Sequence, residues 1–254
     1  MATVNDILNF IEGIAPKELK MEWDNVGLLC GRADRKVTKI LVSLDPFEHV
    51  CREAKEVGAE LIVTHHPLIF EPLKAVSADS EAGRCVLYLC ENGISAINAH
   101  TNLDVAQGGV NDVLAEKLGL TDVQVLEGGL LRMGAAPQQR LTSFLSAVQE
   151  ALGCNGVRYA DGGKPVCRVA VGGGSCASEM NIAIAAGCDT FVTGDCKYNH
   201  FRDAAFQGLN LIDAGHFATE NPVMAVVAEK LRAAFPEIEV LESKAHKDCV
   251  NFFG

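Results

Sequence analysis

The sequence has no excess of basic residues. It contains 22 lysines and arginines against 33 aspartates and glutamates, which gives a formal net charge of −11. A general nucleic-acid surface needs basic side chains that neutralise phosphates, so the composition argues against a nucleic-acid partner. A phosphorylated small molecule stays possible, because bound divalent cations would supply positive charge locally.

Long hydrophobic runs are also missing. No stretch of about 18 apolar residues is present to span a bilayer, and the start of the chain lacks a basic segment followed by an apolar one. We therefore expect a cytoplasmic protein with no membrane partner. Hydrophobic residues still make up 48% of the 254 positions, enough to bury a sizeable core in one large or two modest domains.

The ten cysteines contain no C-x-x-C pair. That spacing argues against a structural zinc knuckle. Without a secretion signal, the cysteines are predicted to be buried thiols and not disulfides. Among them Cys196 is the least improbable metal ligand, since it lies near other polar residues that follow a strand.

What the chain does contain is a histidine pair at the end of an apolar run. The stretch Leu61–Leu68 has β-forming residues up to His65 and His66, and Pro67 then prevents a central strand from continuing. Ligands of open α/β sheets bind at such carboxyl ends of strands. Because neighbours in an extended chain point to opposite sides, the two imidazoles would serve two ions, or one ion and its surroundings, more easily than chelate one ion together.

Two further apolar segments, 97–104 and 211–220, also end in a histidine and a carboxylate. Divalent first-row metals bind imidazole nitrogen and carboxylate oxygen, which makes candidates of His65, His66, His100, Asp104, His216 and Glu220. The alternative is a set of solvated loop histidines. Two metals roughly 3.5–4 Å apart need a bridging group. Asp104 is a candidate bridge, and Glu220 is favoured because we expect it at a helix N-terminus, across a turn from His216 and on a different helix face.

The pattern of apolar residues predicts alternating strands and helices. The predicted strands cover 26–30, 39–44, 61–64, 94–99, 166–171, 189–193, 209–213 and 238–242, and the predicted helices cover 4–14, 47–57, 80–91, 110–118, 141–152, 176–186 and 220–234. The segment 121–137 is glycine-rich and predicted to be irregular. We place the domain boundary there, with a metal-binding α/β domain at 1–125 plus 209–254 and a second α/β domain inserted at 126–208.

An internal repeat supports this organisation. Residues 42–64 match residues 171–193 at a constant offset of 129, with strand, helix, glycine and strand in the same positions. The sequence therefore predicts an α/β fold of two similar halves, with mostly parallel sheets flanked by helices and a metal site in the cleft between them.

Other polar residues carry weaker predictions. The run Gly172–Ser175 either cradles an anion at a helix N-terminus or makes a tight turn, and the turn is the commoner explanation. Asp213 is a candidate acceptor that orients a ligand histidine. Asp195, Tyr198 and His200 either face the site or are ordinary loop residues.

Four motifs resemble the signatures of the Nif-three-like family, widely named GTP cyclohydrolase 1 type 2 homologues. They are Thr64–Pro67, His100–Asp104, Gly194–Tyr198 and Asp213–Glu220. The resemblance extends over nearly the whole chain and implies a two-domain α/β protein with a dinuclear metal centre, assembled as a toroidal homohexamer. The positions that match the family's metal ligands are His65, His66, Asp104, His216 and Glu220.

His100 matches a pocket histidine of the family and not a ligand. Asn199 separates Tyr198 from His200, where many relatives have histidine directly after tyrosine, so the resemblance assigns no role to His200. This chain also lacks the extra inserted domain of longer members.

We therefore expect two divalent ions per chain, of zinc, iron or manganese, since histidine with carboxylate suits all three. The first functional hypothesis is a metal-dependent hydrolase that acts on a nucleotide-like or cyclic amide small molecule, GTP cyclohydrolase-type by resemblance. His100 would shuttle the proton as the catalytic residue. The alternative is a non-catalytic metal carrier or regulatory scaffold, and a structural protein with fortuitous histidines ranks last.

Overall fold

The computed structural model describes residues 1–253. Contacts divide these residues into two compact units: the first contains Met1–Gln107 and Met224–Lys247, and the second contains Gly108–Val223 and the described residues from Asp248 onward. Each unit is built around its own β-sheet.

The first unit alternates strands and helices as predicted. Its elements are α1 (Val4–Ile14), β1 (Gly27–Cys30), β2 (Lys39–Ser43), α2 (Glu48–Val57), β3 (Leu61–Thr64), α3 (Glu81–Asn92), β4 (Ser95–Asn98), α4 (Thr101–Val105), α10 (Pro222–Ala234), which begins at the unit boundary, and β11 (Glu239–Glu242). The sheet order is β1-β4-β3-β2-β11. Only β1, at one edge, pairs antiparallel, so this sheet is mostly parallel over the residues described.

The second unit has a mixed sheet. Its elements are α5 (Val110–Lys117), β5 (Thr121–Val125), β6 (Arg132–Gln139), α6 (Leu141–Leu152), β7 (Arg158–Ala160), β8 (Val166–Val171), α7 (Met180–Ala185), β9 (Thr190–Thr193), α8 (Tyr198–Gln207), β10 (Asn210–Asp213) and α9 (His216–Glu220). The order is β5-β6-β8-β9-β10-β7, with a parallel centre of β8, β9 and β10 and antiparallel flanks. The α/β class with two helix-flanked sheets is confirmed, but parallel pairing prevails in the first sheet alone.

The prediction that residues 121–137 are irregular is wrong, because this segment contains most of the antiparallel pair of β5 and β6. Strand β5 alternates Val123 and Val125 with polar residues, but it is only five residues long and every residue is exposed, so the alternation marks no buried face. In β6, Gly134 lies so close to β5 that an added Cβ would come within 2.8 Å of Leu120 Cβ. Gly134 therefore allows β5 and β6 to approach each other closely, although the glycine-rich sequence of this segment predicts a loop.

The second unit is therefore larger than the predicted insertion at 126–208. Strand β5 joins it by pairing with β6, and β10 joins it by pairing with β9 in parallel. Residues 108–125 and 209–223 consequently belong to the second unit and not to the first.

The internal repeat is confirmed down to the strand register. Ile40 pairs with Leu61 in the first unit, and the residues 129 positions later, Val169 and Thr190, pair in the second. The helix between the strands ends in both copies at a glycine with φ near +75°, Gly58 and Gly187. Such left-handed backbone favours glycine, which accounts for its recurrence.

The similarity between the two units continues to a third strand, which a constant offset of 129 residues does not align. Thr64 of β3 pairs with Asn98 of β4, and Thr193 of β9 pairs with Asp213 of β10, both in parallel. Each third strand leads into a five-residue helix, α4 or α9. The connection to the third strand is longer in the first unit, so the offset of 129 is lost there. The repeat thus places β4–α4 and β10–α9 in equivalent positions of their units.

The cysteines are all free thiols among the residues described. The prediction that they are buried holds for most of them, but Cys90, Cys167 and Cys249 are exposed. In the first unit, the buried Cys30 and the exposed Cys90 place their sulfur atoms 3.6 Å apart. No helix among residues 1–253 has the length and apolar character needed to cross a membrane.

Candidate metal centre

The first unit gathers histidines at the carboxyl ends of β3 and β4. Ring nitrogens of His65, His66 and His100 all lie within 4.8 Å of one another. On α4, Asp104 Oδ1 is 3.6 Å from His65 Nε2. We call these four residues the first-unit cluster. It supplies nitrogen and oxygen donors of the kind that divalent first-row metals bind.

The two adjacent histidines lie side by side and not on opposite sides. Strand β3 ends at Thr64, whose hydroxyl donates to the His66 carbonyl at 2.7 Å, while the His66 N–H donates to the Leu44 carbonyl at 2.9 Å. These bonds bend the chain, and the two rings come within 4.9 Å of each other, centre to centre. The expectation from extended alternation was wrong here, because the strand has already ended.

The Nδ1 atoms of both histidines contact acceptors within the unit. His65 Nδ1 lies 2.9 Å from the Ala99 carbonyl, and His66 Nδ1 lies 2.6 Å from Asp45 Oδ1. Burial by itself would raise the pKa of Asp45, but hydrogen bonds with His246 and His66 outweigh it and hold that pKa well below its usual value. Metal-binding histidines characteristically have such a partner on the other ring nitrogen, which fixes the tautomer that presents Nε2.

His100 is held by a buried carboxylate that the sequence analysis overlooked. Asp24 Oδ1 lies 2.8 Å from His100 Nδ1, and Asp24 Oδ2 accepts from the N–H and the hydroxyl of Thr101. Burial would raise the pKa of Asp24, yet the bonds from His100 and Thr101 keep it well below the ordinary value. Burial lowers the pKa of His100 in spite of Asp24, so the imidazole is neutral near pH 7.

We expect Asp24→Asn to lower the free energy of unfolding at pH 7 by about 3 kcal/mol, because two buried donors on Thr101 lose a charged acceptor. The folded pKa of Asp24 lies below the unfolded value of about 3.9, so its stabilisation is full above that pH and is lost as the pH falls through the folded pKa. Urea unfolding between pH 7 and pH 2 tests this. The gap between wild type and variant must narrow on acidification, and a constant gap would contradict the assignment.

In the second unit, α9 carries His216 and Glu220 one turn apart. Glu220 Oε2 is 2.9 Å from His216 Nε2, and Asp195 Oδ2 is 2.7 Å from His216 Nδ1. These three residues form the second-unit cluster. The prediction that His216 and Glu220 lie on different helix faces was wrong, because a short helix begins at His216 and Glu220 ends it. The helix N-terminus therefore does not explain an ionised Glu220.

The glycine run Gly172–Gly174 packs against this cluster and does not cradle an anion. The N–H groups of Gly173 and Gly174 donate to Asn111 Oδ1 and Thr219 Oγ1, at 2.7 and 2.9 Å. A Cβ on Gly174 would lie 2.0 Å from Glu220 Oε1 and 3.1 Å from His216 Nε2. Glycine is needed here because the backbone approaches the Glu220 carboxylate so closely.

The remaining candidates have structural roles. Asp213 forms an ion pair with Arg158 and accepts from the Cys196 N–H at 2.9 Å, so Asp195 and not Asp213 orients His216. Burial raises the pKa of the Cys196 thiol to about 12. His200 accepts the Lys197 N–H at the start of α8.

The sequence reasoning missed Asp24 and Asp45 and undervalued Asp195, the carboxylates that hold His100, His66 and His216. One signal was available for Asp195, which aligns with His66 at the offset of 129. Its φ of +52°, unusual for a residue other than glycine, also marks a constrained position. Asp24 is 76 positions from His100, and no local pattern links the two.

The fold and these clusters define a class: an α/β protein of two related units with histidine and carboxylate groups that could bind a metal ion. The family described as Duf34/NIF3 (NGG1p interacting factor 3) matches residues 2–249. The chain belongs to this family, which confirms the resemblance noted from the sequence.

Similar proteins agree with this membership. A GTP cyclohydrolase 1 type 2 homolog of Clostridium perfringens is 38% identical over 98% of this chain and 99% of its own length. One from Lactococcus lactis is 36% identical over 95% of this chain and 96% of its own. A Bacillus cereus protein related to NIF3 has the same fold, with a TM-score of 0.93, 26% identity, and coverage of 100% of this chain and 99% of that protein.

Proposed function

We propose that the two clusters together hold two divalent metal ions per chain. His65, His66 and Asp104 would contribute from the first unit, and His216 and Glu220 from the second. The ligand chemistry fits: three imidazoles and two carboxylates suit zinc, iron or manganese. Five ligands are too many for one open site and too few for two closed ones, which favours a pair of ions with positions left for substrate.

One observation carries this proposal. Each of the three proposed ligand histidines has a hydrogen-bond acceptor at Nδ1, namely the Ala99 carbonyl, Asp45 and Asp195. Loop histidines without a metal have no need of such consistent orientation, whereas metal-binding histidines depend on it. Both units would contribute: Asp104 lies on α4 and Glu220 on α9, the equivalent short helices of the two repeats.

We further propose that the protein is a metal-dependent hydrolase acting on a nucleotide-like or cyclic amide small molecule. Two divalent ions would supply Lewis-acid polarisation of the substrate and lower the pKa of a water molecule. His100 would move the proton: Asp24 holds its Nδ1, and the neutral ring can accept a proton at Nε2. The GTP cyclohydrolase name of the relatives makes GTP a substrate to test first.

The experiment combines metal analysis with turnover. Protein stripped with a chelator and reloaded with zinc, iron or manganese is expected to hold about two ions per chain and to hydrolyse a substrate from a panel of nucleotides and cyclic amides. Trace metal after reloading would refute the metal centre. Two ions without metal-dependent turnover of any panel member would instead favour a metal carrier or scaffold.

We also propose that the chain forms the homohexamer implied by its family. Sedimentation equilibrium of the same reloaded protein tests this against the 27.1 kDa of a single chain. A species of that mass at micromolar concentration would contradict the assembly.

A further inference from the structure

Two exposed aromatic side chains stand beside His100. Trp23 is 62% exposed and Phe70 is 49% exposed. Their ring centres are 5.8 Å apart, and they lie 6.2 and 6.1 Å from the His100 ring, edge to face in every case. The three rings form a triangle, with His100 on the side of the first-unit cluster.

The segments that carry these aromatic residues are tied together. The Asn25 side chain donates from Nδ2 to the Ile69 carbonyl at 2.6 Å, which joins the neighbours of Trp23 and Phe70. Asp24, next to Trp23, is bonded to His100. The backbone segments that carry both aromatic rings are therefore held near His100 before any ligand arrives, which reduces the entropic cost of binding.

A surface of this kind suits a flat π-system. Aromatic side chains stack on the face of any heteroaromatic ring with little dependence on its substituents, whereas a saturated ring offers no π-face. No basic side chain is needed for such an interaction, which matches a strongly acidic protein whose ions would have to neutralise any phosphate.

We propose that Trp23 and Phe70 bind the planar heteroaromatic ring of the substrate and deliver its edge to His100. This inference rests on the proposed function, because it places the ring beside the residues assigned to hydrolysis. It narrows the substrate class: a nucleotide-like molecule with an aromatic base is accepted, and a saturated cyclic amide is not. The two aromatic residues are binding residues and take no part in proton transfer.

The chain offers a direct reporter, since Trp23 is its only tryptophan. Inosine, an uncharged nucleoside, is titrated into metal-stripped and metal-loaded protein while tryptophan fluorescence is recorded. We expect saturable quenching by inosine in both states. Ribose and 5,6-dihydrouridine, which lack an aromatic ring, are expected to cause none.

Phe70→Leu keeps an apolar side chain and removes the ring. We expect it to weaken inosine binding about tenfold or more, since base–aromatic stacking accounts for most of the contact. The matched control is Phe206→Leu, at a residue of α8 that is 91% exposed, which is expected to bind inosine like wild type. Trp23→Leu removes the fluorescent reporter, so its affinity for inosine is measured by equilibrium dialysis. We expect the same weakening of inosine binding as for Phe70→Leu.

Equal binding by Phe70→Leu and wild type, or equal binding of dihydrouridine and inosine, would overturn the inference. A change in sedimentation alone would also overturn it and would assign the aromatic pair to contact with a second copy of the chain. Metal content separates this result from the proposed function. If the protein holds two ions and turns over substrate but inosine does not quench its fluorescence, only the aromatic site is refuted. If inosine binds but the protein takes up no metal, only the metal centre is refuted.

Discussion

Glu220→Gln is expected to lower metal affinity by at least about 100-fold, since losing even a hydrogen-bond partner of a metal ligand costs about 10–100-fold and Glu220 is a proposed ligand itself. Glu220 is 4% exposed, and its Oε2 contacts His216 Nε2 at 2.9 Å. An ionised carboxylate can give one oxygen to each of two ions. The amide keeps the shape but loses the charge that offsets two dications, so metal content falls first and any activity follows.

His100→Gln is the informative comparison, because His100 is assigned to proton transfer and not to the ligand set. We expect it to keep more metal than Glu220→Gln while losing turnover. Glu229→Gln, at an exposed position of α10, is the control for removing one negative charge. Circular dichroism should be unchanged in all three variants, since the core of each unit is apolar. If Glu220→Gln keeps both ions at wild-type affinity, the bridging role passes to Asp104.

Gly174→Ala is expected to abolish binding of at least one ion without touching a ligand. The added methyl group would lie 2.0 Å from Glu220 Oε1, so the carboxylate must move or the backbone must shift. The backbone φ of +61° also disfavours alanine, at a cost of about 1–2 kcal/mol in the free energy of unfolding. Isothermal titration with metal and urea unfolding measure the two effects separately.

Gly163→Ala is the matched control. Gly163 has a φ of +73°, so the substitution carries the same backbone strain, but nothing lies within 4 Å of an added Cβ. Both variants should lose the stability that the backbone strain costs, Gly174→Ala should lose more because of its contact with Glu220, and Gly174→Ala alone should lose metal. Equal metal binding by the two variants would mean that the glycine run has no part in positioning Glu220.

The sequence specified the parts of the fold whose signals are local. Helix α6 and strand β8 have the predicted bounds, 141–152 and 166–171, since each has a regular apolar period and clear ends. The histidine pair at the end of β3 was found because Pro67 marks the strand end. The repeat was visible because two copies of one packing arrangement impose the same residue sizes at the same positions.

The parts that the sequence did not reveal depend on contacts between distant residues. Strand β5 is fully exposed and is held by its backbone pairing with β6, so its short alternation of five residues marks no buried face. Helix α9 has only five residues, too few for an apolar period, whereas Pro222 marks the first turn of α10. The carboxylates that hold the histidines come from the irregular segments between strands and helices, where aspartate is common for purely local reasons.

Anomalous diffraction from crystals of the manganese-loaded protein tests the central claim most directly. We predict two peaks per chain, roughly 3.5–4 Å apart, with His65, His66 and Asp104 as ligands from the first unit and His216 and Glu220 from the second. A single peak, or two peaks each bound by one unit alone, would contradict it.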